Sequence, residues 1–348
     1  MRFFEQQRHA RQQTVRLLLL FVLTTASVVV AVNTALALTW RLIAWQDAAY
    51  PAYFFQINTG IALLFILGGW WLESANLAGG GEQLARRAGA RPAKLLGPLS
   101  RLGSEGAEQR FCNIVSELAI AASMKPPTPM VLDRLDGINA FACGWDEGDA
   151  VVAVTQGALE LLTRDELQGL VAHEFSHIRE GDMQLNMRLA GMVSGLEMIF
   201  NLGRRMCERS ERGTLSFLAL PGFAIKACGS IGWLAGRVLK AAIARQREFL
   251  ADARAVQFTR SKDGLGGVLR KVLGQGSQGQ MRVIHPSVQH MLLVDQSDQS
   301  DQSSDNASDK SYWFAIHPPL AERIQRIYGR PMSALITAHA QPGRDAIF

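Results

Sequence analysis

The sequence His173-Glu174-Phe175-Ser176-His177 is the stretch on which the interpretation of the whole chain depends. Two histidines four residues apart lie on one face of an α-helix, so both imidazoles can reach a single metal ion. A zinc ion with an open coordination position lowers the pKa of its water to about 7, and Glu174 can accept that water's proton. The pentapeptide therefore indicates a zinc hydrolase. The alternative is an amphipathic helix that carries two histidines by chance, which the pentapeptide by itself does not exclude.

The residues around the pentapeptide predict a well-defined helix. Thr163 and Glu166 have the spacing of a capping box, in which each side chain binds a backbone N–H of the first turn. Apolar residues at helical spacing give the helix a buried side, and Gly181 is expected to end it. The two histidines and Glu174 should therefore lie on a rigid element.

A zinc site also needs a third protein ligand, and the later sequence offers candidates. They are Glu180, Asp182, Glu197, Glu248 and His317. Glu180 and Asp182 are too close to the end of the same helix to close a tetrahedral site. Glu248 and Asp252 are four residues apart on a predicted helix, where like charges repel unless a metal and a histidine N–H compensate them. We therefore expect Glu248 as the ligand, with a solvated helix face as the alternative.

Composition restricts the compartment and the partners. The chain has 348 residues, a formal net charge of +5 and four cysteines without a Cys-x-x-Cys pair. Scattered cysteines argue against a disulfide framework and against a cysteine-ligated zinc, and they fit a reducing compartment. The basic residues concentrate near apolar segments, and no DNA- or RNA-binding motif is found, so we expect no nucleic-acid partner.

Two long uncharged runs near the N-terminus predict transmembrane helices within residues 17–72. The first, residues 17–40, has 24 residues without a charge, whereas about 20 suffice to cross a bilayer. A signal peptide, the competing interpretation, would have a shorter apolar region. The second run, residues 48–72, has tyrosines and tryptophans near its ends, where interfacial aromatic residues are common. The chain is therefore expected to be anchored in a lipid bilayer.

The distribution of arginines predicts the orientation of these helices. Four arginines lie in residues 1–16, one lies between the two runs, and a further basic cluster follows the second run at residues 86–94. Because basic residues stay on the cytoplasmic side, both the N-terminal segment 1–16 and the region after residue 72 are expected in the cytoplasm. This predicts a multi-pass protein of the inner (plasma) membrane with a cytoplasmic catalytic domain.

The remaining chain is expected to comprise a glycine- and arginine-rich linker, residues 73–107, and a catalytic domain, residues 108–348. Short apolar runs at 130–132, 138–143 and 150–155 predict a small β-sheet. Within it, Asn139-Ala140-Phe141 is a candidate strand for binding an extended peptide by main-chain pairing, with an ordinary sheet strand as the alternative.

Two segments of the catalytic domain are unusual. Residues 189–238 are apolar but contain Glu197, Pro221 and Lys226, and arginines at 204, 205, 209 and 212 resist translocation. This predicts a membrane-associated or re-entrant hairpin, with two full crossings as the alternative. If ligands lie on both sides of this segment, it must cross the membrane zero or two times. Residues 295–310 repeat Gln-Ser-Asp and include five aspartates, which predicts a disordered acidic loop.

Taken together, these motifs resemble the HtpX family of membrane zinc metalloproteases, with the CAAX prenyl endopeptidases as more distant relatives. The resemblance rests on the N-terminal spans and on His173-Glu174-x-x-His177 and Glu248-x-x-x-Asp252. Further matching positions are Asn139-Ala140-Phe141-Ala142, Gly181-Asp182, Arg245, His317-Pro318 and Arg323. The similarity extends from the first span to about Tyr328, and the combination is far more specific than any single motif.

The resemblance implies a mainly α membrane protein with a zincin-type (gluzincin) catalytic domain and a small β-sheet. It implies one catalytic Zn²⁺ bound by His173, His177 and Glu248, with Glu174 as general base. It also implies that Asp252 orients a ligand histidine. His317 and Arg323 are candidates for stabilising the oxyanion.

Polypeptide substrates follow from the same resemblance, specifically misfolded or damaged membrane proteins in quality control. Two alternatives remain at this point. A processing protease for one defined substrate would show a sharp sequence preference. A non-enzymatic membrane scaffold would bind partners through the acidic loop, although the intact metal motif argues against it. The sequence indicates no oligomeric state.

Overall fold

The computed structural model describes residues 2–44, 49–94, 104–133, 135–208, 219–275, 291–293 and 317–335. The helices in this part of the chain are α1 (Arg2–Ile43), α2 (Phe54–Leu77), α3 (Gly80–Arg87), α4 (Ser104–Ala122), α5 (Gln156–Leu161), α6 (Arg164–Glu180), α7 (Asp182–Cys207), α8 (Ala219–Thr259), α9 (Lys262–Gln275) and α10 (Leu320–Tyr328). The strands are β1 (Ala90–Pro92), β2 (Thr128–Leu132), β3 (Ala140–Cys143) and β4 (Val151–Thr155). The predicted mainly α fold with a small sheet is confirmed.

The chain forms two compact units. The first, here called the helical unit, comprises residues 1–79 and 185–240, and the second, the sheet unit, comprises residues 80–184 and 241–348. Helix α7 begins in the sheet unit and continues into the helical unit, and α8 returns the chain to the sheet unit. The segment 185–240 is therefore an excursion between two parts of the sheet unit.

The helical unit contains two helices that are long and apolar enough to cross a membrane, at residues 18–42 and 54–77. Large apolar side chains on both are exposed, among them Leu19 at 65%, Leu64 at 71% and Trp71 at 70%. Contiguous apolar exposure of this kind is rare on proteins in water and is typical of a lipid-facing surface. Between the two helices, Asn33 Nδ2 donates a hydrogen bond of 2.9 Å to Thr59 Oγ1.

Glycines allow close helix packing within the helical unit. A Cβ atom at Gly195 of α7 would clash with the carbonyl oxygen of Ile66 in α2. A Cβ atom at Gly229 of α8 would lie 2.5 Å from the backbone nitrogen of Phe200 in α7. Small residues that let helix backbones approach are the packing device of membrane helices, because lipid provides no hydrophobic drive for association.

The sheet unit is built on a mixed four-stranded sheet with the strand order β1-β2-β4-β3. Strands β2 and β4 are parallel, whereas β1–β2 and β3–β4 are antiparallel. Every residue of β3 and β4 is buried, as expected for strands covered on both faces. Helix α6 contacts β3, α4 and α9, so the helix with the pentapeptide is held in the centre of this unit.

The segment 73–107, expected as a linker, contains α3 and β1 in its described part. Gly80 has a φ of +80°, and a Cβ atom at Gly81 would lie 2.6 Å from the carbonyl oxygen of Cys143. These glycines thus permit a close approach of α3 to the turn after β3, where Gly81 N donates to Asp149 Oδ2 at 3.1 Å. A run of glycines that is needed for close packing has the same composition as a run of glycines in a flexible linker. The sequence alone therefore suggests a linker here.

Residues 189–238, expected as a hairpin, lie within α7 and α8, with residues 209–218 outside the described part of the chain. The predicted acidic loop at 295–310 also lies outside the described residues. The boundaries of the linker, the hairpin and the acidic loop stay predictions.

Candidate metal centre

Helix α6 carries the pentapeptide, and both of its predicted ends are confirmed. Thr163 Oγ1 accepts from the backbone N–H of Glu166 at 3.3 Å, and the Glu166 carboxylate accepts from the N–H of Thr163 at 2.8 Å. Gly181 ends the helix with a φ of +74°, in the left-handed region that glycine adopts without strain. The Glu166 carboxylate also pairs with Lys271 at 2.7 Å, which ties the first turn to α9.

The two histidines of α6 point their Nε2 atoms at each other, 3.2 Å apart. Each Nδ1 atom faces a carboxylate instead. His173 Nδ1 lies 3.1 Å from Asp252 Oδ1, and His177 Nδ1 lies 2.9 Å from Asp182 Oδ2. Because a carboxylate only accepts, a proton on each Nδ1 suits these neighbours and leaves each Nε2 lone pair available to a metal ion. Two such lone pairs at this distance repel unless a proton or a metal cation lies between them.

Glu248 of α8 supplies the third converging group. Its carboxylate oxygens lie 3.6 Å from His173 Nε2 and 3.6 Å from His177 Nε2. The ligand atoms of the three residues all lie within 4.8 Å of one another. Zinc bonds of about 2.0–2.1 Å in tetrahedral geometry separate neighbouring ligand atoms by roughly 3.3–3.5 Å, so the donor set and the spacing both fit zinc.

The other sequence candidates for the third ligand have different surroundings. Glu180 pairs with Arg254 of α8 at 2.8 Å, and Asp182 contacts His177. Glu197 belongs to the helical unit. The contact from Asp182 to His177 is the part that sequence reasoning missed. The sequence presents Asp182 as a candidate ligand, whereas the turn at Gly181 makes it the partner of a ligand, His177.

The charges of the cluster favour a cation. Among the described residues the cluster has four carboxylates, those of Glu174, Asp182, Glu248 and Asp252. It has two guanidinium groups, those of Arg247 and Arg323. With both imidazoles neutral, the form in which histidine binds a metal, this leaves a net charge of −2, which one divalent cation neutralises. Burial alone would lower the pKa of His177, but the hydrogen bond to Asp182 and the charge of Glu248 raise it to about 9. The carboxylates of the site therefore favour a positive charge at His177, although burial of this side chain disfavours one.

Glu174 lies next to the first histidine and is 1% exposed. Burial raises the pKa of its carboxyl group, since a buried carboxylate loses the hydration of its charge. Its Oε2 atom accepts no hydrogen bond from any residue within the described ranges. An unengaged carboxylate oxygen with a raised pKa is suited to accept a proton from water beside the cluster.

Arg323 of α10 is completely buried between the two carboxylates of α8. Its Nε and Nη2 atoms donate to Asp252 at 2.9 and 2.6 Å, and its Nη1 atom lies 3.0 Å from Glu248 Oε2. Burial alone would raise the pKa of Glu248, but the charge of Arg323 holds it well below its usual range. His317 differs, because neither of its ring nitrogens forms a hydrogen bond to a described residue. Its Nδ1 atom lies 3.6 Å from Glu248 Oε2.

The strand expected to bind peptide, Asn139-Ala140-Phe141, lies at the β3 edge of the sheet. Thr155 N donates to the carbonyl oxygen of Asn139, so in this ladder the main-chain groups of Ala140 and Ala142 face away from β4. At Ala140 both groups are engaged: its N–H donates to Asn139 Oδ1 at 3.0 Å, and its carbonyl oxygen accepts from Leu293 N at 3.0 Å.

Comparisons with known proteins identify the family of this chain. Residues 106–330 match peptidase family M48. The Protease HtpX homolog of Caldanaerobacter subterraneus subsp. tengcongensis is 35% identical over 227 residues, which are 62% of this chain and 70% of the relative. The Protease HtpX homolog of Streptococcus uberis is 31% identical over 226 residues, 62% of this chain and 72% of the relative.

Among solved structures, the crystal structure of S. mikatae Ste24p is similar with a TM-score of 0.43 and 16% identity, covering 79% of this chain and 63% of that chain. The resemblance to the HtpX proteases that the motifs indicated is confirmed by the sequence relatives. The chain belongs to peptidase family M48 and is a metalloprotease.

Proposed function

We propose that this protein is a zinc endopeptidase of the inner membrane that hydrolyses peptide bonds of misfolded or damaged membrane proteins. The observation that carries the proposal is the convergence of His173, His177 and Glu248 beside the buried carboxylate of Glu174. Metalloproteases of family M48 are zinc-dependent in general, and two imidazoles with one carboxylate are a common ligand set for a catalytic zinc.

In this proposal His173 and His177 hold zinc through Nε2, and Glu248 holds it through its carboxylate. Bound zinc supplies a Lewis acid that activates water and polarises the carbonyl of the scissile bond. Glu174 accepts the proton of the attacking water and passes it to the leaving amine. Asp252 and Asp182 keep the two imidazoles in the tautomer that presents Nε2.

The two candidates for oxyanion stabilisation receive different roles. The guanidinium of Arg323 is engaged by Asp252 and Glu248, which supports a role in positioning those carboxylates. The ring of His317 is 6% exposed and makes no hydrogen bond within the described part of the chain, which supports a role as donor to the developing oxyanion.

An extended substrate would pair with the outer edge of β3. The main-chain groups of Ala142 face that edge, and those of Ala140 become available only if Leu293 is displaced. Recognition through main-chain hydrogen bonds tolerates many side chains but requires an unfolded segment. This favours quality control over the processing of one defined sequence.

We also propose that the segment 185–240 crosses the membrane twice. At 1.5 Å per residue its two helical arms are each roughly 33 Å long, enough for a hydrocarbon core of about 30 Å. The glycine contacts at Gly195 and Gly229 support membrane packing of both arms. Two crossings leave the ligands before and after this segment on one side, which the arginines before the first span and after the second span make the cytoplasm. The cluster of Arg204, Arg205, Arg209 and Arg212, which would have to be translocated, opposes this topology.

The test is zinc content and proteolysis of the detergent-purified protein and its Glu174→Gln variant. We expect about one zinc per chain in both proteins. Cleavage of an unfolded substrate should fall by about 10²–10⁴-fold in the variant, because the general base is lost while the ligands stay. Chelator should abolish cleavage by the parent. Glu160→Gln, at an exposed glutamate, is the matched control and should keep full activity.

Two results would contradict the proposal. A Glu174→Gln variant that cleaves as fast as the parent would show that another group acts as the base. A parent protein without zinc, and without cleavage after zinc is added, would show that the cluster of His173, His177 and Glu248 is not a zinc site.

A further inference from the structure

We propose that Asp182 and Arg247 form a positioning pair that fixes His177 for the metal and ties it to both ends of the segment 185–240. This inference rests on the proposed zinc site. It concerns residues that hold a ligand rather than contact substrate, so they are positioning residues.

The first part of the argument is the use of both oxygens of Asp182. This side chain is 4% exposed and belongs to the first residue of α7. Its Oδ2 atom lies 2.9 Å from His177 Nδ1, and its Oδ1 atom accepts a hydrogen bond from Arg247 Nη1. Asp182 therefore cannot move away from Arg247 without also changing the orientation of the imidazole.

The second part is the position of the pair in the chain. Asp182 stands three residues before the chain leaves the sheet unit, and Arg247 stands seven residues after the chain returns to it. Arg247 also directly precedes Glu248, the proposed third ligand. The ion pair thus joins α7, which leaves the sheet unit, to α8, which returns to it. Asp182 contacts the proposed ligand His177, and Arg247 adjoins the proposed ligand Glu248. A shift of either helix end should loosen zinc.

The third part is a second ion pair at the same corner, which serves as an internal control. Glu180, the last residue of α6, pairs with Arg254 of α8 at 2.8 Å. Arg254 is seven residues after Arg247, so both arginines lie on nearly the same side of α8. The Glu180–Arg254 pair joins the same two regions, but neither of its two residues is a proposed metal ligand.

The experiment compares Asp182→Ala, Asp182→Asn and Arg247→Gln with the controls Glu180→Gln and Arg254→Gln, all in the full-length purified protein. Two quantities are measured: the rate at which zinc is released to a chelator, and the melting temperature with and without zinc. The difference between the two melting temperatures reports zinc binding. A substitution that only destabilises the fold lowers both melting temperatures equally and leaves their difference unchanged.

We expect Asp182→Ala to weaken zinc binding by about 10–100-fold and to shrink the zinc-dependent rise in melting temperature. Asp182→Asn keeps an acceptor for His177 Nδ1 but loses the ion pair, so its loss should be smaller and should equal that of Arg247→Gln. Both controls should release zinc at the rate of the parent, even if they melt at a lower temperature.

Three results would overturn the inference. Asp182→Ala could hold zinc as tightly as the parent, or the Glu180 and Arg254 controls could lose zinc to the same extent as the Asp182 variants. In either case a zinc-binding parent leaves the proposed function intact. A parent that binds no zinc would instead overturn the proposed metal site and this inference with it.

Discussion

At the scale of single residues, the proposed metal centre depends on buried charges that compensate one another. Arg323 is 0% exposed and stands between Asp252 and Glu248, both of which are also buried. A buried ion pair contributes little net stability when complete, but the loss of one partner leaves an uncompensated charge in a medium of low polarity. The arginine is therefore as necessary to the cluster as the residues proposed to bind metal.

Arg323→Met should accordingly lower the free energy of unfolding by about 3–5 kcal/mol and reduce zinc content, because two buried carboxylates lose their cation. Thermal unfolding of the purified variant and its metal content measure both effects. The control is Arg86→Met, which breaks an exposed pair with Glu82 and should cost less than about 1 kcal/mol. Equal losses in the two variants would contradict the role given to Arg323.

The sequence contained most of the centre at this scale. His173, Glu174 and His177 follow from helical spacing, and Glu248 followed from the electrostatic problem it shares with Asp252. The connection of Asp182 to His177 could not be predicted in the same way. It depends on the direction in which the chain leaves α6 at Gly181, and a glycine permits several directions.

At the scale of elements, β1 is held to the sheet unit by an ion pair as well as by its ladder. Arg91 of β1 pairs with Glu108 of α4 at 2.7 Å, and the backbone N–H of Lys94 donates to the same carboxylate. The hydrogen bond from Arg91 lowers the pKa of Glu108 despite its burial. Glu108 therefore stays ionised in the folded protein at a pH where it is protonated in the unfolded chain.

Glu108→Gln should lower stability at pH 7 by about 1–3 kcal/mol, since Arg91 loses a charged acceptor. Because the folded-state pKa of Glu108 is depressed, its contribution is present above the unfolded value of about 4.3 and is lost as pH falls through the folded value. The difference in melting temperature between parent and variant should thus shrink below about pH 4. A difference that stays constant down to acid pH would contradict this account.

The elements also show what sequence patterns can reveal. The strands β2, β3 and β4 follow from short apolar runs, because the apolar residues of these runs are buried and turn residues bound them. In the segment expected as a linker, the sequence allows one short helix, which fits α3, but it does not predict strand β1, since apolar residues are few there and the glycines suggest a linker. The contact of Gly81 with the turn at Asp149 is long-range, and a local pattern does not contain it.

At the scale of the whole molecule, the open question from sequence was how often residues 189–238 cross the membrane. Helix length and glycine packing support two crossings. The sequence favours none, because of Glu197, Pro221, Lys226 and the arginines at 204, 205, 209 and 212, which resist translocation. Charged residues within a bundle of helices are less costly than charged residues facing lipid. Composition alone does not distinguish these two positions.

Two crossings predict that Glu208, directly after α7, lies on the side of the membrane opposite the proposed metal centre. A Glu208→Cys variant, in a background where the four native cysteines are replaced by alanine, should react with a membrane-impermeant maleimide in intact spheroplasts. Glu117→Cys, at an exposed position of α4, should react only after lysis. Protection of both positions until lysis would show that the segment does not cross.

The excursion of the chain between residues 185 and 240 has a consequence for how the enzyme is made. The proposed ligands His173 and His177 are synthesised before this excursion, and Glu248, Asp252 and Arg323 are synthesised after it. A nascent chain that ends within the excursion has two of its three proposed ligands and cannot complete the centre. Proteolytic activity would therefore arise only after the last part of the chain has left the ribosome and has folded onto α6. An incomplete protease could then not cleave proteins of the membrane into which it is being inserted.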